Sequence, residues 1–353
     1  MNDALQLDVT GPVLLVGGYG TVGGELARLA APSWPLLLTG RTPARGRALT
    51  EELGASVRRW DLGDPEPFSA RVRAVVSTVN DPDDRVLRAA LRGGVPYVDV
   101  TRWTARLQRA AALAAVSPPK APVLLSSGWM GGVSSLVAAA LADALGGASA
   151  VEIAVRYDLK DRAGADSVAF MDRLGLDYEV TEAGRRRMVM PLSGAGYVTI
   201  GGHRTKVARI DTPEQFTLPL SLGVDTAVTR IGFSANTSTT ALLALKKTGF
   251  FRWARGDRFT SLRRSVLYAP GEGGTALLRI DVRGRDGASR TAVVADPAGQ
   301  AHLTAVGGLL GLRRVLGEDG STAPGGVVFP EMTPAPQDVV AALEKAGAEV
   351  MVA

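Results

Sequence analysis

The sequence contains no cysteine and only two histidines, His203 and His302. The absence of cysteine excludes disulfides, thiolate metal sites and a cysteine nucleophile. No apolar run reaches about 18 residues, so we expect no insertion into a membrane. The first residues lack the basic and then apolar pattern of a secretory signal, so we expect a cytoplasmic protein. A net charge of +5 over 353 residues is too small to indicate nucleic acid as a partner.

A hydrophobic content of 46% in a chain of this length is sufficient for two folded domains. Up to about residue 145, short apolar runs alternate with helical patterns, which is typical of a parallel sheet covered by helices. The predicted strands of this sheet are Val13–Val16, Pro35–Leu38, Ser56–Trp60, Arg73–Val79, Tyr97–Val100 and Pro122–Ser126.

After this point apolar and polar residues alternate, as in antiparallel strands with one exposed face. The predicted strands here are Val151–Asp158, Met188–Met190, Tyr197–Ile200, Thr205–Ile210, Ala276–Val282 and Arg290–Ala295. We therefore expect an α/β protein: a doubly wound parallel sheet at residues 1–148, and an α+β domain with a mostly antiparallel sheet at 149–299. We expect the second domain to bind the substrate and form a homodimer.

A glycine-rich turn follows the first predicted strand and leads into a helix. It contains G-x-G-x-x-G at Gly18, Gly20 and Gly23. In a Rossmann βαβ unit these glycines permit the tight turn, the approach of a pyrophosphate and close packing of helix on strand. A glycine-rich turn without a ligand is the alternative. The residues expected to contact a dinucleotide are Gly18, Tyr19, Gly20, Thr21, Val22 and Gly23.

The end of the second predicted strand indicates which dinucleotide binds. NAD-binding proteins commonly carry an acid there, which binds the ribose 2′-hydroxyl. This sequence has Thr39, Gly40 and Arg41, with Arg45 one helical turn further on. Arginine binds a 2′-phosphate through charge-assisted hydrogen bonds, so we predict NADP(H) as the cofactor, unless Arg41 only faces solvent. Three polar residues that follow other strands are further cofactor candidates: Asp61, Thr78 and Asn80.

Several motifs together resemble the saccharopine dehydrogenase-like oxidoreductases. They are VGGYGTVG from Val16, LTGR from Leu38, VVSTVND from Val75, YVDVT from Tyr97, SSGWMGGVSSL from Ser126 and GGVVFPEM from Gly325. The resemblance implies a substrate domain inserted before a C-terminal segment, residues 300–353, that completes the dinucleotide-binding domain. Gly131 stands where the family often has proline, so we expect a looser loop there.

Hydride transfer needs no protein nucleophile, but a proton donor is often required. Asp99 ends a strand at the expected nicotinamide edge, Trp129 lies in a glycine loop, and His302 begins a helix. These three are our candidate catalytic residues; for each, a purely structural role is the alternative. The basic, aromatic segment 246–264 would either pack into a core or dimer interface, or dock an acidic carrier protein, a membrane surface or nucleic acid.

The sequence thus predicts an NADP(H)-dependent oxidoreductase that transfers hydride to or from a C=N bond, as in an imine or secondary amine, or a related bond of a small metabolite. Two alternatives stay open. One is a reductase of a carrier-bound or lipid enoyl or carbonyl substrate, which the basic segment would favour. The other is a non-catalytic NADP-binding protein, which the scarcity of histidine would favour.

Overall fold

The computed structural model describes residues 3–126, 128–161, 173–254, 259, 271, 273–320, 322–332 and 338–353. The chain divides into two compact units. The first comprises Met1–Val133 and Thr304–Pro334, and the second Ser134–Leu303 and Ala335–Ala353. Residues 335–353 differ from the predicted layout, which placed all of 300–353 with the first domain. They belong to the second unit because their strand pairs with its sheet.

The strands, numbered along the chain, are β1 Ala4–Leu7, β2 Val13–Val16, β3 Leu36–Gly40, β4 Ser56–Arg59, β5 Ser69–Val72, β6 Ala74–Ser77, β7 Tyr97–Asp99, β8 Val123–Leu125, β9 Ala150–Tyr157, β10 Tyr178–Glu182, β11 Arg185–Val189, β12 Gly196–Ile200, β13 His203–Arg209, β14 Thr226–Phe233, β15 Ala276–Arg283, β16 Ser289–Asp296, β17 Val327–Val328 and β18 Glu349–Val352. The α-helices are α1 Thr21–Ala30, α2 Arg47–Leu53, α3 Arg85–Gly93, α4 Thr104–Val116, α5 Val133–Ala144, α6 Glu214–Ser221, α7 Asn236–Lys247, α8 Phe250–Trp253, α9 Gln300–Leu316 and α10 Val339–Lys345. Short 3₁₀ helices span Pro43–Gly46 and Pro330–Met332.

The first unit contains a parallel sheet in the order β17-β8-β7-β6-β2-β3-β4. The chain runs outward from β2 to β4 and then restarts at β6, so the strand order reverses between β2 and β6. The strands on both sides of this reversal are wholly buried, which explains their uninterrupted apolar sequences. This confirms the predicted doubly wound sheet.

The core of the first unit lies between this sheet and helices α1 and α9. Leu26 of α1 and Leu312 of α9 are fully buried in the same cluster as Val13 and Leu15. Packing against α9 explains why a segment 170 residues later in the chain (from Thr304) returns to this unit. Burying each such leucine contributes about 1.5–3 kcal/mol relative to exposure.

The second unit contains a mixed sheet in the order β12-β13-β14-β9-β15-β16-β18. Only β14 and β9 pair in parallel; the other neighbours are antiparallel. The prediction of a mostly antiparallel sheet is confirmed. Strand β14 was not predicted: its burial on both faces removes the alternation of polar and apolar residues that marks a strand with one exposed face. Among the described residues, no helix has the length and apolarity that a membrane crossing requires.

A buried ion pair fastens the start of the chain to the first unit. Strand β1 pairs with β5 beside the main sheet, and the Asp3 carboxylate binds Arg85 bidentately, with oxygen–nitrogen distances of 2.6 and 2.8 Å. Arg85 also donates to the carbonyls of Asp61 and Glu66. Burial would raise the pKa of the Asp3 carboxyl, but Arg85 and the Phe68 N–H outweigh it and hold that pKa below its ordinary value.

We predict that Asp3→Asn lowers the free energy of unfolding by about 3 kcal/mol at neutral pH, because it leaves a buried guanidinium without its counter-charge. The pKa of Asp3 is lower in the folded than in the unfolded chain. Its stabilisation is therefore complete above about pH 4 and is lost as the pH falls further. Denaturant unfolding across this range measures both effects. Glu66→Gln, which removes an exposed ion pair with Arg59, is the control and should change stability by less than about 1 kcal/mol.

Candidate functional site

The point where the strand order reverses lies at the carboxyl ends of β2 and β6, where ligands bind in sheets of this kind. Gly17 follows β2 with a φ of 81°, and its N–H donates to the Thr39 carbonyl at 2.8 Å. A Cβ on Gly17 would lie 2.2 Å from Cγ1 of Val79, which follows β6. The two strand ends therefore touch, and only glycine fits between them.

The G-x-G-x-x-G glycines allow helix α1 to begin directly against this turn. A Cβ on Gly23 would lie 2.1 Å from the Gly17 carbonyl oxygen, and one on Gly18 would lie 2.9 Å from both Leu15 and Leu38 atoms. At Gly20 a Cβ would meet only the Gly17 oxygen, at 3.2 Å. Gly18 and Gly23 are thus required for close packing of the turn and helix α1 on the strands. At Gly20, by contrast, the absence of a side chain leaves the outer side of the turn open to a ligand.

The start of α1 offers free backbone donors. The Gly24 N–H makes the first intrahelical bond, to Gly20 at 2.8 Å, so the N–H groups of Thr21, Val22 and Gly23 have no partner within the helix. Within the described part of the chain, no side chain caps this end and no acid lies in its first turn. Such an end, with its positive dipole, fits a phosphate group.

Tyr19 covers the end of strand β3. Its hydroxyl accepts a hydrogen bond from the Thr42 N–H at 3.0 Å. A Cβ on Gly40 would lie 2.4 Å from the Tyr19 hydroxyl oxygen, and a Cβ on Gly46 would lie 2.7 Å from the ring. No side chain, and thus no carboxylate, can occupy position 40 while Tyr19 lies there. Sequence reasoning noted the missing acid but not this steric cause.

Two arginines lie beside Tyr19. Burial raises the pKa of the Tyr19 phenol, while Arg45 and Arg41 act against that rise and Asp61 adds to it. All three charged residues are therefore near its hydroxyl. Arg41 and Arg45 are exposed, and neither forms an ion pair with any described residue. The Asp61 carboxylate, by contrast, pairs with Arg59 at 3.4 Å and accepts the Gly63 N–H at 3.1 Å.

The structure brings Thr78 and Asn80 to the same edge. Thr78 follows β6, and its hydroxyl donates to the Val16 carbonyl at 2.9 Å, which ties it to the end of β2. Asn80 is exposed. The glycine turn, Arg41, Asp61 and these two residues thus all follow strands at the carboxyl edge of the same parallel sheet.

Asp99 lies at the centre of a buried hydrogen-bond network. One carboxylate oxygen accepts from Tyr97 at 2.5 Å and Arg102 at 2.7 Å, and the other from the Thr101 N–H and hydroxyl at 2.9 and 2.8 Å. Arg102 also pairs with Asp84. Four donors occupy this carboxylate, so the geometry favours the structural role over proton transfer.

Asp81 is a buried acid that sequence reasoning did not select, although it ends the VVSTVND motif. It is 2% exposed, and one oxygen accepts the Val86 N–H at 2.8 Å. Its other oxygen has no hydrogen-bond partner among the described residues. Burial raises the pKa of this carboxyl. Asp81 therefore accepts fewer hydrogen bonds than Asp99, a second buried acid at this edge of the sheet.

Trp129 is half-buried in the loop after β8. The expectation that Gly131 loosens this loop is wrong. Gly131 has a φ of 65°, which proline cannot adopt, and its carbonyl accepts the Ser126 hydroxyl at 2.6 Å. A Cβ there would lie 2.5 Å from the Thr304 carbonyl oxygen. Close packing on α9 holds the loop that carries Trp129.

His302 belongs to the second unit, near the start of α9. Its Nδ1 lies 2.7 Å from the carboxylate of Asp296, which is fully buried and also accepts the Ala298 N–H at 2.9 Å. The carboxylate fixes the ring and assigns the Nδ1 position to the proton of the neutral imidazole. His203, in contrast, is exposed at the start of β13. Of the segment 246–264, residues 255–258 and 260–264 lie outside the described residues; Phe251 is buried and Trp253 is exposed.

No protein-family model and no curated protein matches this sequence. Among solved structures, apo saccharopine dehydrogenase (L-Glu forming) from Saccharomyces cerevisiae is similar over 97% of this chain and 99% of that one, with 14% identity and a TM-score of 0.65. Scyllo-inositol dehydrogenase from Lactobacillus casei, solved with NAD(H) and scyllo-inositol, covers the same shares at 13% identity and a TM-score of 0.45. The likeness to the yeast enzyme confirms the fold that the sequence resemblance implied.

Two adjacent glycines of α1 give a matched test of the close approach. We predict that Gly23→Ala destabilises the protein and abolishes dinucleotide binding, because its methyl group would overlap the Gly17 carbonyl. At Gly24 the nearest atom to a Cβ is 3.8 Å away. Gly24→Ala should therefore leave binding intact and stabilise the helix by up to about 1 kcal/mol. Thermal unfolding and nucleotide titration measure both; equal behaviour of the two variants contradicts the packing argument.

Proposed function

We propose that this protein is an oxidoreductase that uses NADP(H) and acts on a C=N bond, an imine or secondary amine, or a related bond of a small metabolite. The observation that carries the proposal is the uncapped start of α1, held by glycine contacts at the reversal of strand order. Its three open N–H groups suit a pyrophosphate.

The phosphorylated dinucleotide is supported by the charges at the end of β3. Arg41 and Arg45 are exposed and unpaired there among the described residues, and Tyr19 excludes a side chain at Gly40. An acid that would repel a 2′-phosphate is therefore absent from this position. Guanidinium groups bind phosphate through paired, charge-assisted hydrogen bonds. In our proposal the Asp61 carboxylate does not prevent binding of the 2′-phosphate, because it is already paired with Arg59 and accepts the Gly63 N–H.

When bound, the nicotinamide ring supplies or accepts the hydride. In our proposal the residues of the chain bind, orient and exclude water. Thr21, Val22 and Gly23 hold the phosphates with their N–H groups, and Asp99 positions the loop after β7 through Thr101. Trp129 shields the reacting carbon from water. We assign proton donation to His302, because Asp296 fixes its tautomer.

The substrate class is supported by the motifs shared with saccharopine dehydrogenase-like proteins and by the fold shared with the yeast enzyme. Reduction of an imine needs one proton besides the hydride, and a single proton-donating side chain can supply it, which suits a chain with two histidines and no cysteine. The test is a turnover assay of the purified protein with NADPH and a panel of imines, carbonyls and enoyl thioesters. Oxidation of NADPH with imines is expected; NADPH binding without turnover on any class contradicts the proposal and favours a non-catalytic protein.

We predict that Arg41→Ala weakens NADPH binding about tenfold and changes NADH binding less than twofold, because only NADPH carries the 2′-phosphate. The expected loss of affinity for NADPH follows from the contribution of one charge-assisted hydrogen bond, about 1.5–3 kcal/mol. Calorimetric titration with each nucleotide measures it. Arg88→Ala, which removes an exposed arginine on α3, is the control. An equal loss of affinity for both nucleotides would exclude the 2′-phosphate role.

For His302 we expect His302→Gln to lower kcat at least about 10²-fold, in the range of lost general acid catalysis, with little change in nucleotide affinity. His203→Gln, at the exposed histidine, should leave kcat unchanged. The pH profile of kcat distinguishes a proton donor from a structural residue. If His302 donates the proton, His302→Gln should lose the part of the profile that reflects titration of the imidazole; if His302 is structural, the shape of the profile should not change. An unaltered pH profile of kcat in His302→Gln would contradict proton donation and indicate a structural role for His302.

A further inference from the structure

The second unit contains a cavity of about 720 Å³, lined by loop residues within 174–177 and 190–195, by Lys206 of β13, and by helices α7 and α8. This volume is within the range of small-molecule sites, roughly 300–1,000 Å³. We infer that this cavity binds an anionic amphiphile, an apolar chain that carries a carboxylate or phosphate head. The cavity is lined by residues of the second unit alone, so the inference does not depend on the proposed nucleotide site.

The inner wall of the cavity is apolar. Leu174, Leu192 and Phe251 line it and are 3–4% exposed, as members of one packed cluster. Met190 and Leu243 extend this wall outward, and Met190 is 43% exposed. An exposed flexible methionine beside a rigid apolar wall is typical of surfaces that accept chains of varied shape. The wall therefore suits the hydrocarbon part of a ligand.

The rim of the cavity is cationic. Four basic side chains line it, Lys206, Lys246, Lys247 and Arg252, against one acid, Asp177. Asp177 pairs with Arg252 at 3.3 Å, and Lys206 donates to the Thr240 hydroxyl at 3.1 Å. Neither Lys246 nor Lys247 has an ion-pair partner among the described residues. The rim thus has a surplus of positive charge that the described residues do not neutralise.

Lys246 shows the electrostatic cost of this arrangement. Burial lowers the pKa of its ammonium group and the neighbouring Arg252 lowers it further, while Asp177 offsets only part of this effect. An anion placed at the rim would offset both effects, because it stabilises the charged ammonium and screens it from Arg252. A ligand of opposite charge would relieve the repulsion between Lys246, which is half-buried, and the exposed Arg252. This favours an anionic head group over a neutral one and opposes a cationic one.

The test is calorimetric titration of the full-length protein with three probes of equal chain length below their micelle concentrations: dodecanoate, dodecyl phosphate and dodecyltrimethylammonium. We expect one anionic probe per chain to bind and the cationic probe to bind at least about tenfold more weakly. Tighter binding of dodecanoate identifies a carboxylate ligand, and tighter binding of dodecyl phosphate a phosphate ligand. Equal binding of the cationic probe overturns the inference.

Two variants test the wall and the rim separately. Leu243→Trp fills the cavity and should abolish binding of both anions, while Lys246→Glu with Lys247→Glu should weaken them at least about tenfold. Lys345→Glu, at the exposed end of α10, is the matched charge control. If the tryptophan variant does not fold, the double lysine variant, on the rim, still decides the question. Unchanged affinity for the anions in the double lysine variant overturns the inference. A protein that sediments as a dimer and does not bind dodecanoate also overturns it, because a second copy of the chain would then cover the cavity.

Discussion

The contact between Gly23 and the Gly17 carbonyl constrains the rest of the first unit. Because no side chain separates them, α1 begins directly at the end of β2. This fixes the direction of the helix, and thus the direction of its open N–H groups. In the same turn Tyr19 lies over Gly40 and excludes a side chain at that position, so that Arg41 is the first charged residue after it.

Buried arginines hold the surrounding loops. Arg85 ties the loop after β4 to the start of the chain through Asp3, and Arg102 ties the ends of β6 and β7 together through Asp84 and Asp99. Buried ion pairs carry a large desolvation cost, so they persist where each charge is fully hydrogen-bonded. This explains why Asp99, which stands at an expected catalytic position, is so fully engaged by its neighbours.

The sequence predicted the parallel sheet well because β2, β3, β6, β7 and β8 are short, buried apolar runs between helical patterns. It missed β14 because burial on both faces hides the alternating pattern, and it assigned residues 335–353 to the first domain, whereas β18 pairs with the sheet of the second. Strand pairing over long separations depends on which edge remains open after the other strands have paired. Here the open edge is β16, and β18 occupies it; no local pattern in residues 349–352 could reveal this.

By itself, the sequence determined the glycine turn, the missing acid and the nearby arginines, because each depends on residue type at a fixed spacing along one βαβ unit. The tertiary structure decided which polar groups remain available. In the folded chain, four donors bind the Asp99 carboxylate, and His302 is hydrogen-bonded to Asp296. One carboxylate oxygen of Asp81 has no hydrogen-bond partner among the described residues. The tertiary structure also assembled the cationic cavity from loop, strand and helix segments between residues 174 and 252. Such properties depend on contacts between distant residues, which local spacing does not encode.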